Sequence, residues 1–273
     1  MGVTNPERIM KTNYETLTLE RGDDHVLTMI LDRPEAANSM NTQMGLDLRS
    51  FWADLYHDPS VARCIVVTGR GEKIFCAGGD LKQRNGMSDQ EWQRQHAIFE
   101  QGVKSMMDCP IPIIAAVNGA AYGGGCEFAL NCDFIYAAEH ARFALTEVTL
   151  GIMPGAAGTQ NLPRAVGSRR AMEIILTGGP VAAAEALEYG LVNKVCAPGA
   201  LMEEVMVTAR RIAANAPIAI RQAKKSVRVA TQLDLKSGYD FEIEAYNRMV
   251  STADRLEGVR AFNEKRKPDF QGR

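Results

Sequence analysis

Ile111-Pro112-Ile113-Ile114-Ala115-Ala116-Val117-Asn118-Gly119-Ala120-Ala121-Tyr122-Gly123-Gly124-Gly125-Cys126-Glu127 is the stretch whose reading decides the fold. Its apolar half, residues 111–117, is short, rich in isoleucine and ended by Asn118-Gly119, so it reads as a strand buried on both faces. Three glycines then open a helix that carries Glu127 to Leu130. A buried strand, a glycine loop and a helix in that order form the unit of a parallel sheet layered with helices. Glycines let a ligand approach the backbone, and a helix start presents unpaired amides at its positive end. Such amides suit a phosphate or a developing oxyanion. The same glycines are equally consistent with a tight turn and close helix–sheet packing.

The pattern extends both ways. Residues 14–20 and 26–31 read as strands of a hairpin around Arg21-Gly22-Asp23-Asp24, and Arg33-Pro34 ends the second. Asn41 caps a helix with Met44, Leu48, Phe51, Leu55 and Tyr56 at three- and four-residue spacings. Residues 64–68 are a continuous apolar strand stopped by Gly69-Arg70-Gly71. Phe75-Cys76-Ala77-Gly78-Gly79-Asp80 reads as a loop entering a polar helical region, and residues 134–137 as a further strand. After Gly158, helical patterns dominate over residues 165–176, 182–189, 201–214, 218–230, 233–249 and 251–265, with one strand at 191–195. The expectation is an α/β body over residues 1–197 followed by a helical C-terminal region over residues 198–273.

Composition narrows the function classes. A formal net charge of -2 argues against a protein that coats nucleic acid, while leaving room for a local basic patch. The six cysteines form no Cys-x-x-Cys pair and have no histidine at zinc-ligand spacing, so reduced core thiols and no metal are expected. The apolar run at 111–117 contains Pro112 and is far too short to span a bilayer, so no membrane segment is expected. The first residues, Met-Gly-Val-Thr-Asn-Pro-Glu-Arg, carry neither an apolar signal core nor an arginine-rich leader, which makes a cytoplasmic location the expectation. His25, His57, His96 and His140 are scattered, and no nucleophile elbow, Walker loop or dinucleotide fingerprint occurs.

Two carboxylates occupy glycine-bearing contexts: Glu127 at the end of the stretch above, and Glu147 ahead of Gly151-Ile152-Met153-Pro154-Gly155. A buried carboxylate is costly unless paired or functional. Each could instead face solvent or meet a structural arginine, and Arg142 and Arg164 are near Glu147 in sequence. The loop Ala77-Gly78-Gly79-Asp80 offers a second set of amides, with Asp80 by itself reading as a helix cap. Two such loops could bring two amides onto one carbonyl oxygen. Lys265-Arg266-Lys267 reads, from composition, as a solvated tail.

Taken in order, these residues resemble the enoyl-CoA hydratase/isomerase (crotonase) family from about residue 14 to residue 270. The matching motifs are Leu31-Asp32-Arg33-Pro34 with Asn38, Phe75-Cys76-Ala77-Gly78-Gly79-Asp80-Leu81, and Ala116-Val117-Asn118-Gly119 leading to Gly123-Gly124-Gly125-Cys126-Glu127. The longest begins at Glu147-Val148-Thr149-Leu150 and runs through Gly151-Ile152-Met153-Pro154-Gly155 to Gln160. Leu176-Thr177-Gly178, Gly190-Leu191-Val192, and Ala261-Phe262 with Lys265-Arg266-Lys267 also fit.

The resemblance implies an α/β crotonase (ClpP-like) spiral of ββα units with a helical C-terminal trimerisation region, and hence a homotrimer or a hexamer made of two trimers. It implies an oxyanion hole from the amides of Gly79 and Gly124, and a bound acyl-CoA thioester along Gly79, Asp80, Leu81, Lys82 and Gly124. Phe262 and Lys265 would approach the CoA of a neighbouring subunit, and the Gly155 amide would help position water. No metal or redox cofactor and no nucleic-acid or membrane partner is implied, coenzyme A being part of the substrate. Family members that hydrate carry both acids, as here with Glu127 and Glu147. Members that only shift a double bond commonly lack the one at the 127 position. The implied reaction, a step of fatty acid metabolism, is syn addition of water to a trans-2-enoyl-CoA giving a (3S)-3-hydroxyacyl-CoA.

Gly79 stands where many hydratases carry alanine, Thr146 where proline is frequent and Ala157 where glycine is frequent. These departures, with the stretch 83–98 that includes Trp92 and should border the acyl pocket, leave the acyl group open. Carnitinyl, methylglutaconyl and aryl-branched thioesters are alternatives, as is isomerisation. A crotonase-fold protein that binds a partner or RNA is the reading from a different class.

Overall fold

The computed structural model describes residues 13–273; the N-terminal octapeptide on which the leader reading rests lies outside the described residues. In chain order the strands are β1 (Leu17–Arg21), β2 (Val26–Leu31), β3 (Cys64–Gly69), β4 (Ile74–Cys76), β5 (Ile113–Val117), β6 (Ala120–Tyr122), β7 (Phe134–Ala138), β8 (Arg142–Ala144), β9 (Val181–Ala182) and β10 (Lys194–Cys196). The α-helices are α1 (Thr42–His57), α2 (Leu81–Arg84), α3 (Asp89–Asp108), α4 (Gly124–Asn131), α5 (Gly158–Val166), α6 (Ser168–Thr177), α7 (Ala183–Glu188), α8 (Leu201–Ala213), α9 (Pro217–Ala230), α10 (Leu235–Val250) and α11 (Ala253–Asn263).

The expected hairpin is β1–β2, and parallel pairing from β2 onward builds a six-stranded sheet in the order β1-β2-β3-β5-β7-β10. Its apolar strands are buried on both faces because successive side chains alternate sides. Val26, Cys64, Val66, Ile114 and Ala116 meet Leu201, Val205, Ala209 and Ala213 of α8, while Leu27, Ile65, Val67 and Ala115 join the main core. Asn41 caps α1 as expected, its side chain accepting the Met44 amide at 2.9 Å. The apolar stripe of α1 is buried through Leu55, whereas Tyr56, expected to continue it, is exposed.

Three expectations change. The single parallel sheet is two sheets: β4, β6, β8 and β9 form a second one, parallel except for β9. Phe75 and Cys76, read as loop, are therefore strand; runs of two or three residues are shorter than any periodicity can reveal. The helix expected over 165–176 is two, α5 and α6, parted at Gly167 with φ +79°. The strand expected at 191–195 is displaced to Lys194–Cys196, because the Leu191 and Val192 amides donate instead to the Ala186 carbonyl. The C-terminal region opens with α8, which covers one face of the six-stranded sheet. Helix α9 is tied to the α/β body by Lys224 and Arg228, both paired with Asp133.

The chain's end returns to the body. Asp254, buried, accepts the amides of Gln271 and Gly272 at 2.7 and 2.8 Å, Glu257 holds Arg266, and Arg63 donates to the Phe270 carbonyl at 2.7 Å. Among the described residues no helix is long and apolar enough to cross a membrane.

The second sheet positions the site. Because β4 and β6 run parallel and adjacent, the loops leaving their C-terminal ends lie side by side, the usual place for a ligand in open α/β layers. A Cβ on Gly78 would stand 2.7 Å from the Tyr122 carbonyl oxygen, and one on Gly125 would stand 2.2 Å from that of Cys76. Both obstacles are backbone, which cannot swing aside. We therefore expect Gly125→Ala to cost about 3 kcal/mol or more, seen as a lowered melting temperature or loss of folded protein, the upper range of overpacking penalties. A melting temperature equal to wild type would show that the loops separate easily.

Candidate active site

The glycine loops bring two amides together. Met40 bridges Gly79 by donating to the Gly78 carbonyl at 2.7 Å and accepting the Asp80 amide at 3.0 Å, which turns the Gly79 amide away from that ladder. Gly124 is the first residue of α4, where an amide has no intrahelical acceptor. A Cβ built on Gly124 would lie 3.9 Å from the Gly79 nitrogen. Neither N–H has a hydrogen-bond acceptor among the described residues. They border a cavity of about 560 Å³ that Glu127, Glu147 and Gly155 also line.

The two glutamates share the cavity but not their surroundings. Glu127, one turn into α4 and 3% exposed, accepts on Oε1 the amides of Ala156 and Gly158 at 2.7 and 2.8 Å. That loop is held by Asn131, whose amide donates to the carbonyls of Glu127 and Ala156 at 2.8 and 2.9 Å. Burial raises the Glu127 carboxyl above its ordinary range, and the amides of Gly158, Ala156 and Gly155 oppose the shift. Glu147 starts a short 3-10 turn, is 8% exposed, and has a buried Oε2 with no hydrogen-bond partner among the described residues. Burial, and secondarily the charge of Glu127, pushes its pKa to about 7, against the pull of its own backbone amide. Burial thus pushes both carboxyls toward the acid, but three amide donors oppose the shift at Glu127 and only its own amide does at Glu147.

The remaining sequence candidates divide. Leu81 lines the cavity. Asp80 turns away to cap α2 through the Gln83 amide at 3.1 Å and to pair with Arg33 at 3.1 Å. Lys82 is exposed outside the cavity lining. Phe262, 84% exposed, and Lys265, with φ +56°, lie at the end of α11 and do not line this chain's cavity. Reading the sequence missed Asn131, whose one signal was a polar residue inside an apolar helix. The stretch 83–98, expected to border the pocket, does line the cavity through Trp92 and His96 of α3, joined by Phe99 just beyond it; His96 packs so near Gly155 that a Cβ there would touch its ring at 2.8 Å. Among the described residues no group of three potential ligands is placed to hold a metal ion.

Comparison with known proteins points the same way. Residues 21–273 match the family described as enoyl-CoA hydratase/isomerase. A putative enoyl-CoA hydratase/isomerase of Bacillus subtilis, YngF, is 41% identical over 92% of this chain and 96% of its own length. The mitochondrial enoyl-CoA hydratase of Pongo abelii is 40% identical over 95% of this chain and 89% of its own. The crystal structure of an enoyl-CoA hydratase from Bacillus anthracis superposes with a TM-score of 0.92 at 41% identity, covering 95% of this chain and all of that one.

The state of Glu147 has a thermodynamic signature. Its folded pKa of about 7 exceeds the unfolded value of 4.5, so the stability it contributes is present below about pH 4.5 and is lost as pH rises through about 7. Glu147→Gln cannot lose a proton. Relative to the variant, the wild type should therefore destabilise between mildly acidic and mildly alkaline pH by on the order of 2 kcal/mol. Parallel melting curves for both proteins across that range would show the group to be an ordinary carboxylate.

Proposed function

Since this chain belongs to the enoyl-CoA hydratase/isomerase family, we propose that it is an enzyme hydrating a trans-2-enoyl-CoA, with syn addition giving a (3S)-3-hydroxyacyl-CoA. The observation that carries the reading is two carboxyls of unlike environment beside two unpaired amides on one cavity. The thioester carbonyl oxygen accepts the amides of Gly79 and Gly124, which stabilise the enolate charge by about 3 kcal/mol per donor. Glu127, the carboxyl whose anion the loop amides stabilise, takes a proton from water as the oxygen attacks Cβ. Glu147, held as the acid, delivers a proton to Cα. Each carboxyl ends in the other's starting state, and proton exchange with solvent resets the pair. Gly155, whose amide faces Glu127, helps orient the water.

Hydration moves no electrons, so the reaction as proposed draws on no redox cofactor, and coenzyme A enters as part of the substrate. Leu81 borders the bound thioester, with Asp80 and Lys82 beside it on α2. The exposed apolar side chains of α10 and α11, Tyr239, Ile243, Tyr246 and Val259 among them, support assembly through these helices as a homotrimer or a dimer of trimers. Phe262 and Lys265 would then be offered to a neighbouring copy's CoA. We place the enzyme in the cytoplasm.

Crotonyl-CoA incubated with the protein should gain the mass of one water; a double-bond shift leaves the mass unchanged. Glu127→Gln and Glu147→Gln should each lower kcat by about 100-fold or more while CoA-thioester binding persists, and full activity in either sinks the mechanism. Because Glu147 must start protonated, kcat/KM for hydration should decline above about pH 7. In Glu147→Gln that limb should be missing from the residual rate.

A further inference from the structure

We propose that Arg84 receives an anionic group on the acyl chain, so that the site is built for short 2-enoyl-CoA thioesters carrying a second carboxylate. The inference rests on the hydratase reading above and names its substrate class. Arg84 ends α2, is half-buried, and lines the same cavity as the two glutamates. It is held from two sides. Its Nε donates to Oε1 of Gln95 at 2.8 Å, and its plane lies over the Trp92 ring at 4.5 Å. Gln95 is itself buried and fixed, donating to Thr42 Oγ1 and Gln83 Oε1 at 2.9 Å each. Both bonds orient the guanidinium without neutralising it.

What Arg84 lacks is a carboxylate. Among the described residues no acid lies within ion-pair distance, and its Nη1 and Nη2 have no hydrogen-bond partner. Some half-buried cations here meet an acid, Arg33 with Asp80 and Lys224 and Arg228 with Asp133, and others rest on carbonyls, Arg63 on those of Ala213 and Phe270 and Arg221 on that of Pro217; Arg84 differs in turning its free N–H edges toward a cavity. The cavity's rim acid, Glu100, is paired with Lys104 on the solvent side. A desolvated, unpaired cation is costly, and burial already weakens its hold on the proton. A guanidinium with two free N–H edges matches a carboxylate through two parallel hydrogen bonds.

The position also sets the chain length. Nη1 stands 3.0 Å from where a Cβ on Gly79 would be, and the Gly79 amide marks the thioester end of the substrate. An anion reaching Arg84 is therefore only a few bonds from the reacting carbons. A methyl-terminated chain in the same place would leave the guanidinium dry and unpaired, which discriminates more strongly than a missing methylene does.

The test uses matched pairs. kcat/KM is measured for glutaconyl-CoA and for trans-pentenoyl-CoA, with wild type, Arg84→Met and Arg84→Lys. Binding of the saturated thioesters glutaryl-CoA and valeryl-CoA, which cannot be hydrated, is measured by calorimetry. Wild type should favour the carboxylated partner of each pair by about tenfold or more, and Arg84→Met should lower that ratio by about 100-fold, chiefly through KM. Arg84→Lys should retain part of the preference, because it keeps the charge but loses the fork; if Arg84→Met does not fold, the fall in ratio is read from this variant. A binding ratio that favours valeryl-CoA, or that stays within about threefold of wild type in both variants, overturns the role of Arg84. Absence of hydration with the binding preference intact would instead overturn the hydratase reading alone.

Discussion

The parallel pairing of β4 with β6 is the constraint on which the site depends. It sets two strand ends side by side, so the loops after them must share one small volume. Glycine at 78 and at 125 is what allows it, since a Cβ at either would meet a backbone carbonyl oxygen. The candidate site is measured from this contact. The Gly79 and Gly124 amides are neighbours because the loops are, and Glu127 reaches the cavity because α4 begins at Gly124 and turns once before it. Local backbone geometry, rather than any mobile side chain, fixes where a carbonyl oxygen would be held, as preorganised electrostatic stabilisation requires.

From that fixed point the two carboxyls are differentiated by what the chain offers them. Glu127 lies under the loop 155–158, whose amides converge on one oxygen, and Asn131 pins that loop by bonding carbonyls on both sides. Ala157 adopts φ +73° to make the turn, a left-handed conformation that a residue with a Cβ rarely takes. Glu147 receives no such donor on Oε2. Two identical side chains, both pushed up by burial, therefore differ in how strongly donors oppose the shift, and one buried polar atom is left bare at Glu147. Such an unsatisfied group is what a reacting molecule can relieve.

Much of this was legible in the sequence and some was not, for physical reasons. The long apolar strands β2, β3 and β5 announce themselves because burial on both faces demands continuous hydrophobic runs. The cap at Asn41 and the glycine loops are equally plain, since their backbone needs select particular residues. The short strands of the second sheet carry no such signal, although they locate the site. The division of α5 from α6 rests on one glycine, and the packing of α8 on the sheet is not announced because α8 is amphipathic like any surface helix. The fold's resemblance to a known family supplied the amide positions that spacing alone left open. Asn131 and Arg84 went unread because their roles are defined only by what tertiary packing puts opposite them.

The two ends of the cavity are built from different parts. The amides and glutamates belong to β4, β6, α4 and the turns beyond, whereas the far wall of the cavity is the face of α3 bearing Trp92, His96, Phe99 and Met106, with Trp52 of α1. Close approach of α1 to α3 is set at Gly45, where a Cβ would be 2.9 Å from the Phe99 ring. Substitutions on α3, or at Arg84 leaning against it, can therefore reshape what the cavity accepts without moving the Gly79 and Gly124 amides. A polar α3 face held by Gln95 makes this wall a place where charge can be read.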